Sequence, residues 1–537
     1  MRTAARPARA AQAPGALPGP GDHHSMTVPA VSLTPRTDPG LGVGASAGAL
    51  LDLASRDDFH RWEAQLENTG NCVSPIRLAG RIDAVDRATG QRRVMYDTDA
   101  EPGGVLRIAC GNRREEICAP CSQVYKNDAR QIIRSGLTGG KGIPDTVAEH
   151  PCLFATLTAP GFGPVHTIRT DRRGRQLPCR PRRDAHQRRC PHGRDISCPR
   201  THHRDDPRLG QPLCPDCYDY TGHILFNACA PELWRRFTIY LARQLARLAG
   251  MTQKALRDQV SVRFVKVAEY QARGIVHYHA VIRLDAPGSD YQPPPAQYTA
   301  ALLSDAIRST AAIVSLDTAA HLTRLNLKAA DTDDTAAVPV IGPDLTRILV
   351  FGTQVDTRAI RESAGGLPGT GSALSAQAVA NYIAKYATKT ISAPGLPHRP
   401  VHGTAAIAAL RCGAHYKRLI SDCWAIGKNH AAAQLALNRW THMLGYRGHF
   451  LTKSRRYSVT FGQLRQARIT HRRAQRHPDG EKDPWGRNLD ERTVLLEAAW
   501  IYTGTGHAST AERQLALAAA ARARDHDQIA REETWTN

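Results

Sequence analysis

The sequence has no long hydrophobic run. Nowhere do about 18 apolar residues follow one another, which excludes a membrane-spanning helix. The opening stretch Met1-Arg-Thr-Ala-Ala-Arg-Pro also lacks the apolar segment of a secretory signal, so we expect a cytoplasmic protein without a membrane partner. Disulfides are rare in that compartment. The 13 cysteines are therefore expected to be metal ligands or core residues.

Acidic residues are scarce relative to basic ones. The chain of 537 residues has 49 acidic and 71 basic side chains, which leaves a formal net charge of +22. This charge favours a polyanionic partner, and nucleic acid is the simplest choice for a protein without a membrane segment. Aromatic residues make up only 6%, yet a hydrophobic content of 42% is adequate for the cores of roughly two to four domains.

Two groups of cysteines have spacings typical of zinc sites. In the first, Cys118-Ala-Pro-Cys121 can hold one tetrahedral zinc through two thiolates, and Cys110 and Cys72 complete a set of four. The alternative is a redox pair or inert thiols, but no βαβ pattern surrounds the pair as thioredoxin-like chemistry would require.

The second group is built on Cys214-Pro-Asp-Cys217. Cys190, together with Cys198 or His192, supplies the next ligands. These residues lie in an arginine-dense stretch that suits phosphate contacts, or that is simply a solvated loop. Its arginines include Arg172, Arg173, Arg175, Arg180, Arg182, Arg183, Arg188 and Arg189.

A run of β-forming residues contains His277-Tyr278-His279. Because side chains alternate along a strand, the two histidines share one face and Tyr278 occupies the other. Such a pair can hold one metal ion, or it can belong to an ordinary strand without a ligand role.

The length of the preceding turn determines whether a carboxylate lies on the same strand face as the two histidines. A three-residue loop at 272–274, with Gly274 left-handed, places Glu269 opposite His277. A two-residue loop would turn Glu269 to the other face. Two imidazoles and one carboxylate suit a divalent cation with open coordination positions.

A helix capped by Ser375 is expected to carry Tyr382 and Tyr386 one turn apart on one face, with Lys385 and Lys389 on an adjacent face. Amphipathic packing is the alternative explanation. A tyrosine is a poor nucleophile at pH 7 because its pKa is about 10. It can nevertheless attack a phosphodiester that a metal activates, and neighbouring lysines can stabilise the charge that develops.

Further along the chain, Tyr446, Phe450 and Tyr457 alternate with basic residues. Charge interleaved with aromatic rings is typical of a groove for single-stranded nucleic acid.

The Phe154–Thr158 strand, the histidine triplet and the doubled Tyr-x-x-Lys follow in an order that resembles the HUH endonuclease superfamily. The closest resemblance is to RepSA-type rolling-circle replication initiators of actinobacterial plasmids and integrative elements, and it covers about residues 60 to 470. Further stretches that carry it are Cys110…Cys118-x-x-Cys121, Cys214-x-x-Cys217-Tyr218-Asp219-Tyr220, Glu269–Gly274 and Thr452–Tyr457.

This resemblance implies that His277 and His279 bind Mg²⁺ or Mn²⁺. Glu269 matches the usual third ligand, with Gln271 as a reserve candidate.

The same resemblance identifies Tyr382 and Tyr386 with the nucleophiles of two-tyrosine initiators. Many plasmid initiators use one tyrosine followed by x-x-Lys, and both tyrosines fit that rule. The sequence does not decide between them, and we favour Tyr386 as the first nucleophile.

The implied fold is α+β, with a central antiparallel sheet flanked by helices, zinc-knuckle insertions and a mainly helical C-terminal region. We expect a disordered tail over 1–55, a cysteine-containing region over 56–150 and the nicking domain over 151–400. A basic Cys/His-rich insertion at about 168–220 interrupts the nicking domain, and a helical basic region follows over 401–537.

The implied function is to nick one strand at a replication origin. The reaction would leave a phosphotyrosine link on one DNA end and a free 3′-hydroxyl primer on the other. The partners would be origin DNA, as a single-stranded or cruciform nick region, together with a host helicase and polymerase. Alternatives are a two-tyrosine rolling-circle transposase and a non-catalytic zinc-dependent DNA-binding regulator. A conjugative relaxase fits less well, because its nucleophile usually precedes the histidine motif.

Overall fold

The computed structural model describes residues 45–171, 173–182, 189–288, 290–330, 338–361, 374–389 and 395–536, without the side chains of 527–536. Most of the predicted N-terminal tail, 1–44, therefore lies outside the described residues. None of the helices within these ranges has the length and hydropathy needed to cross a bilayer.

The described chain contains both helices and strands, which confirms the α+β class. The helices are α1 (Ala47–Ala54), α2 (Phe59–Asn68), α3 (Ala119–Thr138), α4 (Tyr220–Leu248), α5 (Gln253–Arg257), α6 (Ala300–Ile313), α7 (Thr318–Ala330), α8 (Ala376–Thr388), α9 (Thr404–Ala408), α10 (Ala414–Ile426), α11 (Phe461–Arg476) and α12 (Thr510–Thr536). The strands are β1 (Ile76–Asp86), β2 (Arg92–Asp97), β3 (Leu106–Ile108), β4 (Cys152–Leu157), β5 (Arg169–Thr170), β6 (Gln176–Leu177), β7 (Ser261–Tyr270), β8 (Val276–Asp285), β9 (Ser315–Asp317), β10 (Ile348–Val350), β11 (Val355–Arg361), β12 (Leu374–Ser375), β13 (Leu451–Lys453) and β14 (Val494–Thr505).

A six-stranded sheet forms the centre of the molecule, with strand order β12-β11-β4-β8-β7-β13. Its pairs are antiparallel apart from the short parallel contact between β11 and β12. Elements from outside 151–400 complete it, since β13 pairs with β7 and α3 packs against α8 on one face. Elements from the expected regions 56–150 and 401–537 therefore contribute to this sheet and to the helices that cover it.

Helices cover both faces of this sheet. On one face, Leu153 and Tyr278 pack with α4 and α6, and the rings of Tyr278 and Trp234 lie 5.6 Å apart. On the other face, Phe154 and Val267 pack with α3 and α8. Strand alternation therefore places the histidines of β8 on the α8 side.

The two ends of the described chain meet in a second sheet. Strand β1 pairs with β2, β3 and β14, although β14 comes more than four hundred residues later in the sequence. Helix α12 packs on α2 through Trp62, Leu66 and Ala516. The C-terminal region thus contributes strands as well as the expected helices.

Three local predictions were wrong. Residues 47–54, within the expected disordered tail, form a helix that Ser46 caps and that packs on α12. The i, i+3, i+4 spacing of Trp234, Phe237, Leu241, Leu245 and Leu248 predicts a helix from Pro231 to Leu248. Helix α4 instead begins at Tyr220, because its first turns are buried on nearly all sides and show no amphipathic pattern. The aromatic rings of the basic segment, Tyr446, Phe450 and Tyr457, are core residues that no base could stack on.

Candidate active site and metal centres

The hairpin of β7 and β8 brings a carboxylate beside the two histidines. Glu269 pairs with His277 and Val267 with His279, as the three-residue loop requires. Gly274 has φ of 82° and donates its N–H to Gln271 O at 2.8 Å. The predicted register is confirmed.

The three side chains converge on one point. Glu269 Oε2 lies 3.2 Å from His277 Nε2 and 3.0 Å from His279 Nε2, and the two nitrogens are 2.8 Å apart. Neighbouring ligands on an octahedral cation with bonds of about 2.1 Å are separated by about 3 Å. This geometry fits a small divalent cation. Gln271 does not join the cluster, because its side-chain oxygen accepts a hydrogen bond from Arg273 Nε at 3.0 Å.

Electrostatics favour the ligand forms of Glu269 and His279. Burial raises the pKa of Glu269, but hydrogen bonds to both imidazoles outweigh it and lower this pKa to about 2. Burial lowers the pKa of His279, which keeps the imidazole neutral. His279 Nδ1 lies 3.0 Å from Thr156 Oγ1, a contact that leaves Nε2 free to face Glu269.

Helix α8 carries both tyrosines to this cluster. Ser375 caps the helix by accepting the N–H of Ala378 at 3.1 Å. The hydroxyl of Tyr382 lies 3.4 Å from His279 Nε2, and the rings of Tyr382 and Tyr386 are 4.6 Å apart.

The two lysines of α8 are exposed beside Tyr386. The ammonium of Lys385 lies 5.8 Å from the ring centre of Tyr386, and that of Lys389 lies 5.4 Å from it. Burial and the charge of Glu269 raise the pKa of Tyr386, whereas the positive charge of Arg204 acts in the opposite direction. Burial and the neighbouring Tyr386 raise the pKa of Tyr382 as well. Both phenols are therefore protonated at neutral pH.

An arginine from the first cysteine region holds the end of α8. Arg113 donates to the carbonyls of Ala387 at 3.2 Å and Lys389 at 3.4 Å, and its guanidinium lies 3.7 Å from the ring centre of Phe450. A cation at a helix C-terminus stabilises the free carbonyls there.

The first cysteine group assembles as predicted. The sulfurs of Cys72, Cys110, Cys118 and Cys121 lie within 4.8 Å of one another. Cys72 and Cys118 are 3.7 Å apart, too far for a disulfide and close to the roughly 3.8 Å between two thiolates on one tetrahedral zinc. The group could therefore hold zinc, and it flanks the loop that carries Arg113.

The second group contains Cys190, His192, Cys214 and Cys217. His192 Nδ1 lies 3.2 Å from Cys217 Sγ and 3.9 Å from Cys214 Sγ. Cys198 was wrongly assigned here. It lies in a separate group with His166, Cys179 and His202, so His192 takes the ligand position that the sequence had left open between the two.

Several residues that contribute to these sites were not predicted from the sequence, because they lie far along the chain from the residues that they contact. His166, Cys179, Thr156 and Arg113 reach their partners across the fold, and none belongs to a spacing motif. The only local signal was His202 followed four residues later by Asp206, a pattern that can orient an imidazole.

The turn at 272–274 is held by buried polar side chains of α4 and α10. His223 Nε2 and Asn227 Nδ2 each donate to Gly274 O at 3.0 Å, and Asn227 Oδ1 accepts the N–H of Val276 at 3.0 Å. His415 Nε2 donates to Arg273 O at 2.9 Å. These bonds fix the register that brings Glu269 to His277.

Most described arginines of the insertion are exposed, as a phosphate-binding surface requires. They include Arg169, Arg173, Arg175, Arg189, Arg194 and Arg200. Arg180 and Arg182 are half-buried, and the predicted Arg172, Arg183 and Arg188 lie outside the described residues.

Comparison with known proteins gives a single consistent result. A model of the RepSA family, described as "Replication initiator protein, pSAM2", matches residues 58–521. A replication initiator protein of Streptomyces ambofaciens is 41% identical over 465 residues, which cover 86% of this chain and 90% of that protein. No solved structure matches the chain significantly. Because the family match spans most of the sequence, this chain belongs to the RepSA family of replication initiator proteins.

Proposed function

We propose that this replication initiator nicks one DNA strand at its origin through a tyrosine of α8. The observation that carries the proposal is the position of the Tyr382 hydroxyl, 3.4 Å from His279 Nε2 in the Glu269–His277–His279 cluster. A packing role alone does not account for a half-buried phenol whose hydroxyl lies beside three convergent ligand atoms, with a second tyrosine ring 5.9 Å from that of His279. Membership of the replication initiators supports the same function.

Glu269, His277 and His279 would hold a magnesium or manganese ion. Such an ion would withdraw charge from the scissile phosphate and orient it for in-line attack. The protein keeps both imidazoles and the carboxylate on one rigid hairpin, and Thr156 fixes the ring of His279. An octahedral cation held by three protein ligands retains open positions for phosphate oxygens.

The attacking tyrosine forms a bond to phosphorus while the bond from phosphorus to the 3′-oxygen breaks. The phenol proton passes to solvent, and the departing 3′-oxygen takes up a proton to become the hydroxyl that a host polymerase extends. Tyr386 is proposed as the first nucleophile, because the exposed ammonium groups of Lys385 and Lys389 flank it. Tyr382 would then attack in a second transfer without departure of the first product.

Origin DNA is the proposed partner, with its nick region single-stranded or extruded as a cruciform. The exposed arginines of the insertion and the net charge of +22 support backbone contacts with DNA. A host helicase would supply the unwound strand that synthesis from the new primer requires.

The first and second cysteine groups are proposed as structural zinc sites. All four positions of each tetrahedral set are protein side chains, so neither site has an open position for substrate. Zinc content should be unchanged in a His277→Ala, His279→Ala double variant that has lost nicking. Loss of all zinc in that variant would mean that the structural and catalytic metals are not separate.

A nicking assay on supercoiled DNA containing the origin tests the proposal. With Mg²⁺ or Mn²⁺ we expect open-circular product and a protein–DNA adduct that survives detergent, and a chelator should abolish both. Tyr382→Phe combined with Tyr386→Phe should leave the DNA supercoiled, whereas Tyr502→Phe, at an exposed tyrosine of β14, should nick like the wild type. A non-catalytic regulator would bind the origin without forming any adduct, and that result would refute the proposal.

A further inference from the structure

The insertion contains one more group of metal-binding side chains, apart from the first and second cysteine groups. We propose that this third group is a structural zinc site of the Cys₂His₂ type, which anchors the insertion beside the nicking centre. Its members are His166, Cys179, Cys198 and His202, with all ligand atoms within 4.8 Å of one another.

Distances within the third group match a tetrahedral ion. His202 Nε2 lies 3.4 Å from Cys198 Sγ and 3.1 Å from His166 Nδ1. Ligands on one tetrahedral zinc are separated by roughly 3.3 to 3.8 Å when bonds are 2.0 to 2.3 Å. Cys179 Sγ accepts the N–H of Thr167 at 3.2 Å, a contact that stabilises a thiolate.

A carboxylate orients one of the imidazoles. His202 Nδ1 lies 2.6 Å from Asp206 Oδ2, so this nitrogen donates and Nε2 presents its lone pair to the cluster. Asp206 is itself held by Arg208, whose side chain donates at 2.9 and 3.1 Å. A carboxylate that fixes the tautomer of a buried histidine is the usual support for a metal ligand.

The described part of the insertion has no apolar core that could order it instead. Between residues 166 and 213, the described residues that are buried are Cys179, Cys190, Cys198, His202 and Gly210. Strands β5 and β6 contain two residues each. A segment that buries so little apolar surface requires cross-links to hold one conformation, and metal binding supplies that free energy.

The third group also lies where it can brace the catalytic hairpin. The backbone of His166 pairs with Gly210 and Gln211 through two bonds of 2.9 Å. Gly210, with φ of 79°, lies so close to the turn that a Cβ there would overlap the backbone of Ala272. The same segment carries Arg204, whose charge acts on Tyr386. Zinc in the third group would therefore fix the segment that packs on the turn of the catalytic hairpin.

Zinc content of the full-length protein tests this inference independently of any nicking activity. A Cys179→Ser, Cys198→Ser double variant should contain one zinc per chain fewer than the wild type. Cys412→Ser, at a half-buried cysteine outside all three groups, should retain the wild-type content. Equal zinc in the double variant and the wild type would overturn the proposal.

A second variant covers the case in which the serine substitutions prevent folding. In cobalt-substituted full-length protein, His166→Cys changes the third group from two thiolates to three and should keep the metal count. The charge-transfer absorption from thiolate to cobalt should therefore increase relative to the wild type. An unchanged spectrum at unchanged metal content would show that His166 does not bind the ion and would overturn the assignment.

Discussion

At the scale of single residues, the candidate metal cluster depends on one hydroxyl as well as on its three ligands. Thr156 contacts the ring nitrogen of His279 that faces away from Glu269. When Nδ1 of the neutral imidazole donates its proton to this hydroxyl, Nε2 has the lone pair that a metal ligand needs. The hydroxyl, on the neighbouring strand β4, is thus placed to support the ligand tautomer of His279.

We predict that Thr156→Val weakens divalent-cation binding by about 10- to 100-fold, the range typical for the loss of a group that orients a metal ligand. The concentration of Mn²⁺ needed for half-maximal nicking should rise by that factor. Thr158→Val is the matched control, since its hydroxyl contacts the carbonyl of Gln354 and not the cluster. Equal Mn²⁺ dependence in the two variants would contradict this role.

Residue chemistry made much of the site predictable from sequence. A glycine in a left-handed turn specified the hairpin register, and strand alternation then specified which side chains share a face with His279. Ligand grouping was less predictable, because Cys198 and Cys190 lie close in sequence yet join different groups. Which cysteines and histidines come together depends on the backbone path of the insertion. That path cannot be predicted from sequence periodicity, because the described part of the insertion has few regular elements.

Among the secondary-structure elements, helix α8 must keep a fixed position relative to the β7–β8 hairpin, because the two carry the tyrosines and the metal ligands. Arg113 holds the C-terminal end of α8, and the polar residues of α4 and α10 hold the turn of the hairpin. Both anchors come from distant parts of the chain, which is why motif spacing did not reveal them.

Removal of the Arg113 guanidinium should loosen the end of α8. Arg113→Ala is expected to lose about 1.5 to 3 kcal/mol of local stability, the usual value for hydrogen bonds from a charged donor. Hydrogen exchange should become faster in the last turn of α8, and nicking should slow by about 10-fold or more as the tyrosines lose their position. Arg114→Ala removes a bond to the carbonyl of His398 and should leave exchange in α8 unchanged. Unaltered exchange in both variants would refute the anchor.

The histidines that hold the turn predict a dependence of stability on pH. Burial lowers the pKa of His223 to about 3 and that of His415 to about 4, so both are neutral in the folded protein. In the unfolded chain their pKa is about 6.5, and protonation there favours unfolding as the pH falls from about 6.5 to 4. Each histidine contributes a slope of up to about 1.4 kcal/mol per pH unit in that window.

Melting temperature measured from pH 7 to pH 5 tests this expectation. It should fall less steeply in a His223→Asn, His415→Gln double variant than in the wild type, because the variant has no imidazoles to protonate. His60→Gln, at an exposed position of α2, should behave like the wild type. Identical slopes for the double variant and the wild type would show that these histidines do not control acid stability.

The sequence predicted some helices and strands correctly and missed others. The cap at Ser375 and the tyrosine helix followed from local chemistry. The first turns of α4 and the buried aromatic residues near 450 were not predicted. A segment buried on all sides has no polar face, so its sequence shows no amphipathic period. The pairing of β1 with β14 joins opposite ends of the chain and has no local signature.

In the molecule as a whole, exposed arginines and two of the candidate metal-binding groups lie in or beside the insertion. Its exposed arginines form the proposed DNA surface, and metal ions bound in the second and third groups would hold that surface next to the hairpin. DNA affinity should therefore depend strongly on salt, because each neutralised phosphate releases counterions.

An Arg173→Ala, Arg189→Ala, Arg200→Ala triple variant tests this surface. The slope of log Kd for origin DNA against log salt should decrease by about 2 to 3 units, roughly 0.9 for each lost phosphate contact. Arg524→Ala, at an exposed arginine of α12, should keep the wild-type slope. A triple variant with the wild-type slope would mean that DNA binds elsewhere.

The proposed function requires a covalent bond between a tyrosine of α8 and DNA, and peptide mapping of the protein–DNA adduct can detect that bond. Trypsin cleaves after Lys385, between Tyr382 and Tyr386, so mass spectrometry of nuclease-treated adduct can separate the two tyrosines. We expect a nucleotide-modified peptide that begins at Tyr386 in the first cleavage product. A modified residue outside α8, or the absence of any modified peptide in an active nicking reaction, would contradict the proposed function.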